Sequence, residues 1–267
     1  MPGYNNKRTP EEKQPHKENA SVSFEDVSKS FGSIKAVSEL SIQIDQANIF
    51  GLLGSDGAGK STLLRMAATM IRPTSGRILI HGLDTVTQKS KVKHLIGYMP
   101  QRFGLYQDLT VGENLDFFMD IFGIFGMERK KRTERYLGFS NLLPFIDRPA
   151  GKLSGGMKQK LGLACVLAHE PKVLILDEPT NGVDPVSRQD FWDILLKMKK
   201  DGMTVLISTA YLDEGEKCDS LAILHNSQLL DVAGPSEIRS DFPDLEEAVI
   251  HRINRVDERL ANDNFQL

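Results

Sequence analysis

The sequence predicts an α/β protein with a mainly parallel central sheet, an N-terminal antiparallel β subdomain and an inserted helical subdomain. Nearly continuous apolar runs, typical of strands buried on both faces, alternate with helical patterns. Two early segments alternate apolar and polar residues, as half-buried antiparallel strands do. Between residues 105 and 170 the strand pattern gives way to helical periodicity. The 267 residues, 40% hydrophobic, suffice for one large elaborated domain or two small ones.

The first part of the chain predicts the antiparallel subdomain and the first buried strand. Residues 1–20 are polar and mixed in charge, so we expect a disordered extension and no secretory signal. We then expect antiparallel strands in VSFEDVSKSF and ELSIQID. A buried strand in NIFGLLG precedes a Gly-rich turn and the helical pattern KSTLLRMAATM, and short strands follow in GRILIHGLD and IGYMPQ.

The second part predicts the helical insert and the return of the α/β pattern. Thr110 and Glu113 have the spacing of a capping box, and we place the helical subdomain at about residues 102–165. KVLILDEP and MTVLIST are buried strands on either side of the amphipathic helix VSRQDFWDILLKMKKDG. LAILHNSQLLDVAG predicts a hairpin that turns at Asn226-Ser227, and residues 235–267 form a helical tail.

The strongest motif is GSDGAGKST, which has the P-loop pattern G-x-x-x-x-G-K-[ST] between a predicted strand and a predicted helix. Its glycines let backbone N–H groups turn towards phosphate oxygens. Lys60 would bring a positive charge to the β- and γ-phosphates, and the Ser61 hydroxyl would bind Mg²⁺. An ordinary Gly-rich turn is the alternative, which the strand–loop–helix context disfavours. The expected phosphate-binding residues are Gly54, Ser55, Asp56, Gly57, Ala58, Gly59, Lys60, Ser61 and Thr62.

Two acidic residues end the buried strand in VLILDEPT. Four apolar residues bury this strand and place Asp177 at its carboxyl end, where it can hold Mg²⁺ directly or through water. Glu178 follows and would reach the γ-phosphate side, where it is the natural general base for an attacking water. Acids at a strand end also serve as turn or helix caps, but the P-loop favours the metal and base roles.

A second glycine-rich helix start lies in KLSGGMKQK. Ser154 can cap the helix, while Gly155 and Gly156 leave N–H groups exposed to an anion. The same pattern is also common as a plain cap followed by glycines. Because one P-loop already serves one phosphate group, this second helix start indicates a site shared with another subunit.

The P-loop, YMPQ, LSGGMKQKL and LILDEPTNGVDP occur in an order that resembles the ATP-binding domain of ABC transporters, over about residues 21–234. The resemblance implies a P-loop NTPase core that binds ATP and Mg²⁺. It also implies that Phe31 stacks on adenine and that Gln101 touches Mg²⁺ and water while facing a membrane permease. Ser154, Gly155 and Gly156 would meet the γ-phosphate of ATP on the opposite subunit. Residues 181–184 match a loop that crosses this subunit interface.

PQRFGLYQDLTVGENL and the tail resemble the drug- and antibiotic-exporter branch, whose partners are ABC-2-type permeases. The implied protein is an ATPase subunit that pairs with a second ATP-binding domain and powers a membrane exporter. Such a subunit is cytoplasmic and peripheral on the inner face of the cell membrane. No apolar run reaches the 18 residues that a membrane-spanning helix needs. The net charge of −3 gives no support for a nucleic-acid surface, so we expect no nucleic acid partner.

The chain departs from the resemblance at Ala210, where the family places a histidine that contacts the γ-phosphate and positions the water and Glu178. Alanine cannot form a side-chain hydrogen bond. We therefore expect weakened hydrolysis at this chain's own site, in an asymmetric dimer with a related but different ATP-binding subunit. The alternatives are compensation by the backbone, Thr209 or Tyr211, or a misalignment by one residue.

Two other functions remain open at this point. A regulatory module that dimerises on ATP and barely hydrolyses it is favoured by Ala210, whereas Asp177 and Glu178 argue against complete inactivity. A soluble ABC ATPase that is not coupled to transport would need a long coiled-coil insertion or two linked ATPase domains, and this sequence shows neither.

Overall fold

A computed structural model describes residues 20–264, with side chains described as far as Glu258. Residues 1–19, where we expect most of the N-terminal extension, lie outside the described part. The strands are β1 (Ala20–Phe31), β2 (Ile34–Asp45), β3 (Ile49–Gly54), β4 (Ser75–Ile80), β5 (Leu83–Asp84), β6 (Ile96–Met99), β7 (Val173–Asp177), β8 (Thr204–Thr209), β9 (Ser220–His225) and β10 (Gln228–Ala233). The α-helices are α1 (Lys60–Ala67), α2 (Lys89–Leu95), α3 (Val111–Ile121), α4 (Gly126–Phe139), α5 (Gly155–Leu167), α6 (Pro185–Lys200), α7 (Leu212–Gly215), α8 (Pro235–Ile238) and α9 (Leu245–Asn264).

The first sheet is antiparallel, with the strand order β2-β1-β4-β5. It confirms the antiparallel subdomain expected from the alternating segments. Along β2 the buried residues Leu40, Ile42 and Ile44 alternate with exposed neighbours. Because successive side chains of a strand point to opposite faces, these three side chains lie on the same face. That face packs into a core that it shares with Leu63 and Leu64 of α1.

The second sheet has the order β10-β9-β3-β8-β7-β6, in which only the β10–β9 pair is antiparallel. Val173 and Ile175 of β7 enter one core, while Leu174 and Leu176 enter the other. This burial on both faces explains the continuous apolar run. Because β3, β8 and β7 are adjacent and parallel, their carboxyl ends meet at one edge of the sheet. The predicted site residues at the ends of β3 and β7 therefore lie close together.

The helical insert is formed by α3, α4 and α5. The capping box at α3 is present, because Thr110 Oγ1 accepts from the Glu113 N–H at 3.1 Å and Glu113 Oε2 accepts from the Thr110 N–H at 2.8 Å. α4 ends at Phe139. Asn141 adopts a left-handed φ of 56°, which a helix cannot continue through. Leu115 and Tyr136 pack with the sheet in one core.

The C-terminal part contains a hairpin of β9 and β10 and the helix α9. Asn226 and Ser227 both have positive φ, of 47° and 66°, as a tight hairpin turn of the mirror-image type requires. α2 was not predicted from the sequence. Its segment KSKVKHL buries only Val92, so it carries no apolar periodicity by which a helix could be recognised.

Candidate functional site

The P-loop connects β3 to α1 and lines a cleft of about 390 Å³. Gly57 and Gly59 have φ of 79° and 105°, a backbone conformation that favours glycine. A Cβ atom on Gly59 would lie 2.3 Å from the backbone oxygen of Ala36. The volume lies within the range of small-molecule and cofactor sites. The cleft is lined by Ala36, Asp56, Gly57, Ala58, Gly59, Lys60, Ser61, Thr62, Gln101 and Glu178.

Lys60 lies almost buried at the base of the cleft. Its Nζ donates to the backbone oxygens of Gly54 at 2.7 Å and Ser55 at 3.0 Å. It also lies 3.6 Å from Glu178 Oε1, and the two side chains are only 4% and 13% exposed. A nearly buried charge needs such partners. Glu178 is therefore an acidic partner of Lys60 inside the cleft.

Asp177 lies at the carboxyl end of β7 and is 1% exposed. Its Oδ1 accepts hydrogen bonds from Ser61 Oγ at 2.8 Å and Ser208 Oγ at 2.9 Å. Its Oδ2 is buried and has no hydrogen-bond partner among the described residues. A buried carboxylate oxygen without a partner is costly, and hydroxyl and carboxylate oxygens are the ligands that Mg²⁺ prefers. The pair of Ser61 and Asp177 therefore fits a Mg²⁺ ion.

Glu178 carries the candidate base into the cleft on a strained backbone, with a left-handed φ of 46°. Such strain in a non-glycine residue costs of order 1–3 kcal/mol and is typical of functional sites. Its N–H donates to Ser208 Oγ at 3.0 Å, and this hydrogen bond attaches the turn that follows β7 to the neighbouring strand β8. Its Oε2 accepts from Gln101 Nε2 at 2.9 Å and from Asn181 Nδ2 at 3.3 Å. The structure thus brings Gln101 and Glu178 together in the cleft.

A second cavity, of about 110 Å³, lies beside Ala210. Glu178 lines both this cavity and the larger cleft. The Thr209 hydroxyl donates to Glu214 Oε2 at 2.6 Å, so its proton is not available to Glu178. This contact argues against compensation for Ala210 by Thr209. The lining residues are Glu178, Thr180, Asn181, Thr209, Ala210 and Tyr211.

The glycine-rich helix start at α5 does not line the P-loop cleft. Ser154 caps α5 as expected, because its Oγ accepts from the Met157 N–H at 3.3 Å. Ser154 and Gly155 are exposed, whereas Gly156 is buried. A Cβ atom on Gly156 would lie 2.3 Å from Ser187 Oγ on α6. At the start of α5, Gly156 therefore packs closely against α6, whereas Ser154 and Gly155 face solvent.

Phe31 lies at the end of β1, outside the residues that line the cleft, and its side chain is 49% exposed. The Lys29 ammonium lies 4.9 Å from its ring centroid. The sequence did not reveal three contributors to the site: Ala36, Ser208 and Glu214. They come from other strands and helices, and no local motif marks them.

The phosphate loop, the Mg²⁺-compatible carboxylate and the candidate base share one edge of a parallel sheet, which defines a P-loop nucleotide-binding domain. The family model described as ABC transporter matches residues 37–181, more than half of the chain. The chain belongs to the ABC transporter family. The resemblance of its motifs to an ABC ATP-binding subunit is thereby confirmed.

Similar sequences are ATP-binding proteins of ABC transporters. The chain is 49% identical over 195 residues to the "Probable multidrug ABC transporter ATP-binding protein YbhF" of Escherichia coli (strain K12). That match covers 73% of this chain and 34% of YbhF, so the chain spans about a third of that relative's length. It is 35% identical over 199 residues to the "ABC transporter ATP-binding protein NatA" of Bacillus subtilis (strain 168), which covers 74% of this chain and 81% of NatA.

Solved structures confirm the fold class. An ATP-binding subunit of an ABC transporter is similar with a TM-score of 0.78 and 27% identity, over 86% of this chain and 98% of that chain. A dimeric ATP-binding cassette in a post-hydrolysis state, bound to ADP and phosphate, is similar with a TM-score of 0.71 and 25% identity, over 80% of this chain and 98% of that chain. Within residues 20–264, none of the helices combines the length and hydropathy needed to cross a membrane.

Proposed function

We propose that this chain binds Mg-ATP in the 390 Å³ cleft and hydrolyses it to power a membrane exporter. The observation that carries the proposal is the convergence of Lys60, Gln101 and Glu178 on the P-loop cleft, beside the partly unpartnered Asp177. Residues 54–62 would bind the phosphates. Phe31 would stack on adenine, since its exposed ring is open to a planar base.

The chemistry follows from the positions of the charged groups. Ser61, Asp177 and Gln101 would hold the metal, and bound Mg²⁺ would neutralise charge on the β- and γ-phosphate oxygens. When the nucleotide binds, oxygens of the γ-phosphate would replace Glu178 as the partner of Lys60. The released Glu178 carboxylate would accept the proton of the water that attacks the γ-phosphorus, with ADP as the leaving group.

A second subunit would complete the site. Ser154 and Gly155 are exposed away from this chain's own cleft, and the start of α5 presents free N–H groups and a positive dipole end. We propose that Ser154, Gly155 and Gly156 meet the γ-phosphate bound by a partner. The similar dimeric cassette, solved with ADP and phosphate, supports pairing of this kind.

The two sites of such a dimer would differ in activity. Ala210 offers no hydrogen-bonding group beside Glu178, so the site built on Lys60 of this chain would hydrolyse ATP slowly. A partner with a histidine at the corresponding position would form the faster site, using Ser154, Gly155 and Gly156 of this chain. We therefore propose a dimer with a related but different ATP-binding subunit.

Coupling to transport rests on the family and on the relatives. We propose an ABC-2-type permease as the membrane partner, with the chain cytoplasmic and peripheral on the inner face of the membrane. The name of the relative YbhF, a multidrug transporter protein, supports an exporter. A regulatory ATP-binding module is the second candidate, and the missing hydrogen-bonding group at Ala210 favours it.

The ATPase part is tested by single-turnover hydrolysis with the full chain and the variants Glu178→Gln and Lys60→Ala. Glu178→Gln should retain Mg-ATP binding but lose hydrolysis, because the amide cannot accept the water's proton. Lys60→Ala should lose affinity as well. A regulatory module would instead bind ATP while Glu178→Gln left its negligible hydrolysis unchanged.

The membrane part is tested separately by co-purification. A tagged full chain, expressed in its own cells and extracted in detergent, should retain an integral membrane protein of the ABC-2 permease type and a second ATP-binding protein. Recovery of the chain without any membrane protein, under conditions where it remains folded and binds ATP, would contradict the coupling to transport.

A further inference from the structure

We infer that Asn181 is a positioning residue that orients the Glu178 carboxylate, an inference that rests on the proposed role of Glu178 as general base. Asn181 Nδ2 donates to Glu178 Oε2 at 3.3 Å, and Gln101 Nε2 donates to the same oxygen at 2.9 Å. The other oxygen, Oε1, lies 3.6 Å from Lys60 Nζ. Two amides therefore hold one carboxylate oxygen and leave the other directed towards the P-loop lysine.

The backbone explains how Asn181 reaches Glu178. The N–H of Asn181 donates to the backbone oxygen of Glu178 at 3.2 Å, which closes a four-residue turn. Pro179 is the second residue of this turn and restricts its backbone. The turn brings the Asn181 side chain back beside the side chain of Glu178. The contact is thus built into the local chain path.

A buried glutamate also stabilises this turn through hydrogen bonds. Glu214 of α7 is 1% exposed, and its two carboxylate oxygens accept from Thr180 Oγ1 and Thr209 Oγ1, each at 2.6 Å. Hydrogen bonds to a buried charged group are among the stronger ones in proteins. Glu214 therefore ties the residue before Asn181 to the end of β8. This anchor holds the Asn181 amide in place.

The cavity beside Ala210 shows why this contact matters. Asn181 and Ala210 line the same 110 Å³ space, which Glu178 faces. The hydroxyls of Thr180 and Thr209 are already donated to Glu214, and the Ala210 methyl offers no donor. Among the described contacts of the six lining residues, the Asn181 amide is the donor that reaches Glu178. Asn181 thus supplies orientation on the side of the carboxylate where Ala210 supplies none.

The test compares single-turnover hydrolysis by the full chain and by Asn181→Ala, Asn181→Gln and Asn181→Asp. We expect Asn181→Ala to lower the maximal single-turnover rate about tenfold, with the half-saturating concentration unchanged. This is the low end for a hydrogen bond to a charged group, because Asn181 is exposed. Asn181→Gln keeps an amide donor and should restore most of the rate. Asn181→Asp adds a like charge and should lose more. Gln189→Ala, which removes a surface amide contact to Asp193, should leave the rate unchanged.

A double-mutant cycle with Glu178→Gln separates positioning from other roles. If Asn181 acts through the carboxylate, adding Asn181→Ala should not lower further the residual rate that Glu178→Gln keeps in long single-turnover incubations. A loss of equal size in both backgrounds, or a higher half-saturating concentration at an unchanged maximal rate, would place Asn181 at the nucleotide or at the subunit contact and overturn the inference. A wild-type rate for Glu178→Gln alone would overturn the proposed function together with the inference, so the two failures are distinguishable.

Discussion

The substitution Ala210→His should raise hydrolysis at this chain's own site. A cavity of about 110 Å³ lies beside Ala210, which leaves room for a larger side chain at this position. One donor directed at developing negative charge contributes about 10²–10³ to the rate. Glu178 already accepts from Gln101 and Asn181. We therefore expect a gain of about 10²-fold, at the lower end of that range.

The assay is single-turnover hydrolysis of Mg-ATP by the full chain at saturating enzyme, which isolates the chemical step from product release. Ala210→Leu is the matched control, because leucine fills the same cavity without a hydrogen-bonding group. It should give no gain. The double variant Ala210→His with Glu178→Gln should also give no gain, since the added imidazole is expected to act together with the carboxylate.

An Ala210→His variant that folds, binds Mg-ATP and hydrolyses it at the wild-type rate would contradict this expectation. That result would mean that the missing group at position 210 does not limit hydrolysis. An equal gain from Ala210→Leu would assign the effect to cavity filling. In that case the asymmetry proposed for the two sites of the dimer would lose its physical basis.

Three further outcomes follow from the structure. Phe31→Ala should weaken ATP binding by about 1–3 kcal/mol through lost stacking, which calorimetry on the folded variant would measure. Gly156→Ala places a methyl group 2.3 Å from Ser187 Oγ, so it should lower steady-state hydrolysis by the assembled dimer without changing ATP affinity at this chain's own cleft. Burial holds the pKa of His169 below 6.5, so stability should fall as pH drops below about 6.5. Urea unfolding at about pH 7.5 and about pH 5.5 would measure this fall in the free energy of unfolding, and His169→Gln should reduce it.

The sequence was sufficient to predict the glycine-rich loop and its place between a buried strand and a helix. The spacing of Gly54, Gly59 and Lys60 between a buried strand and a helix requires a P-loop, and the structure shows a left-handed φ of 105° at Gly59. Asp177 and Glu178 follow a continuous apolar strand, so their place at the sheet edge was also predictable. In each case the information lies within a few consecutive residues.

The supporting contacts could not be predicted because they join residues far apart in the chain. Glu214 belongs to an acidic helix start, a pattern typical of an exposed helix cap, yet it is 1% exposed and binds Thr180 and Thr209. Ser208 donates to Asp177 from the neighbouring strand, 31 residues away. No local pattern distinguishes a buried, paired glutamate from an exposed one. The order of the strands in the sheet decides which of these residues are buried and paired, and only the structure shows that order.

We propose that this chain forms one half of a shared Mg-ATP site. A structure of the Glu178→Gln variant with Mg-ATP tests it most directly, because the nucleotide should remain intact. We predict the triphosphate along residues 54–62, Mg²⁺ at Ser61 and Asp177, and the Ser154 helix start of a second subunit on the γ-phosphate. ATP bound elsewhere, or bound in this cleft while Ser154 of a paired subunit faces solvent, would contradict the account.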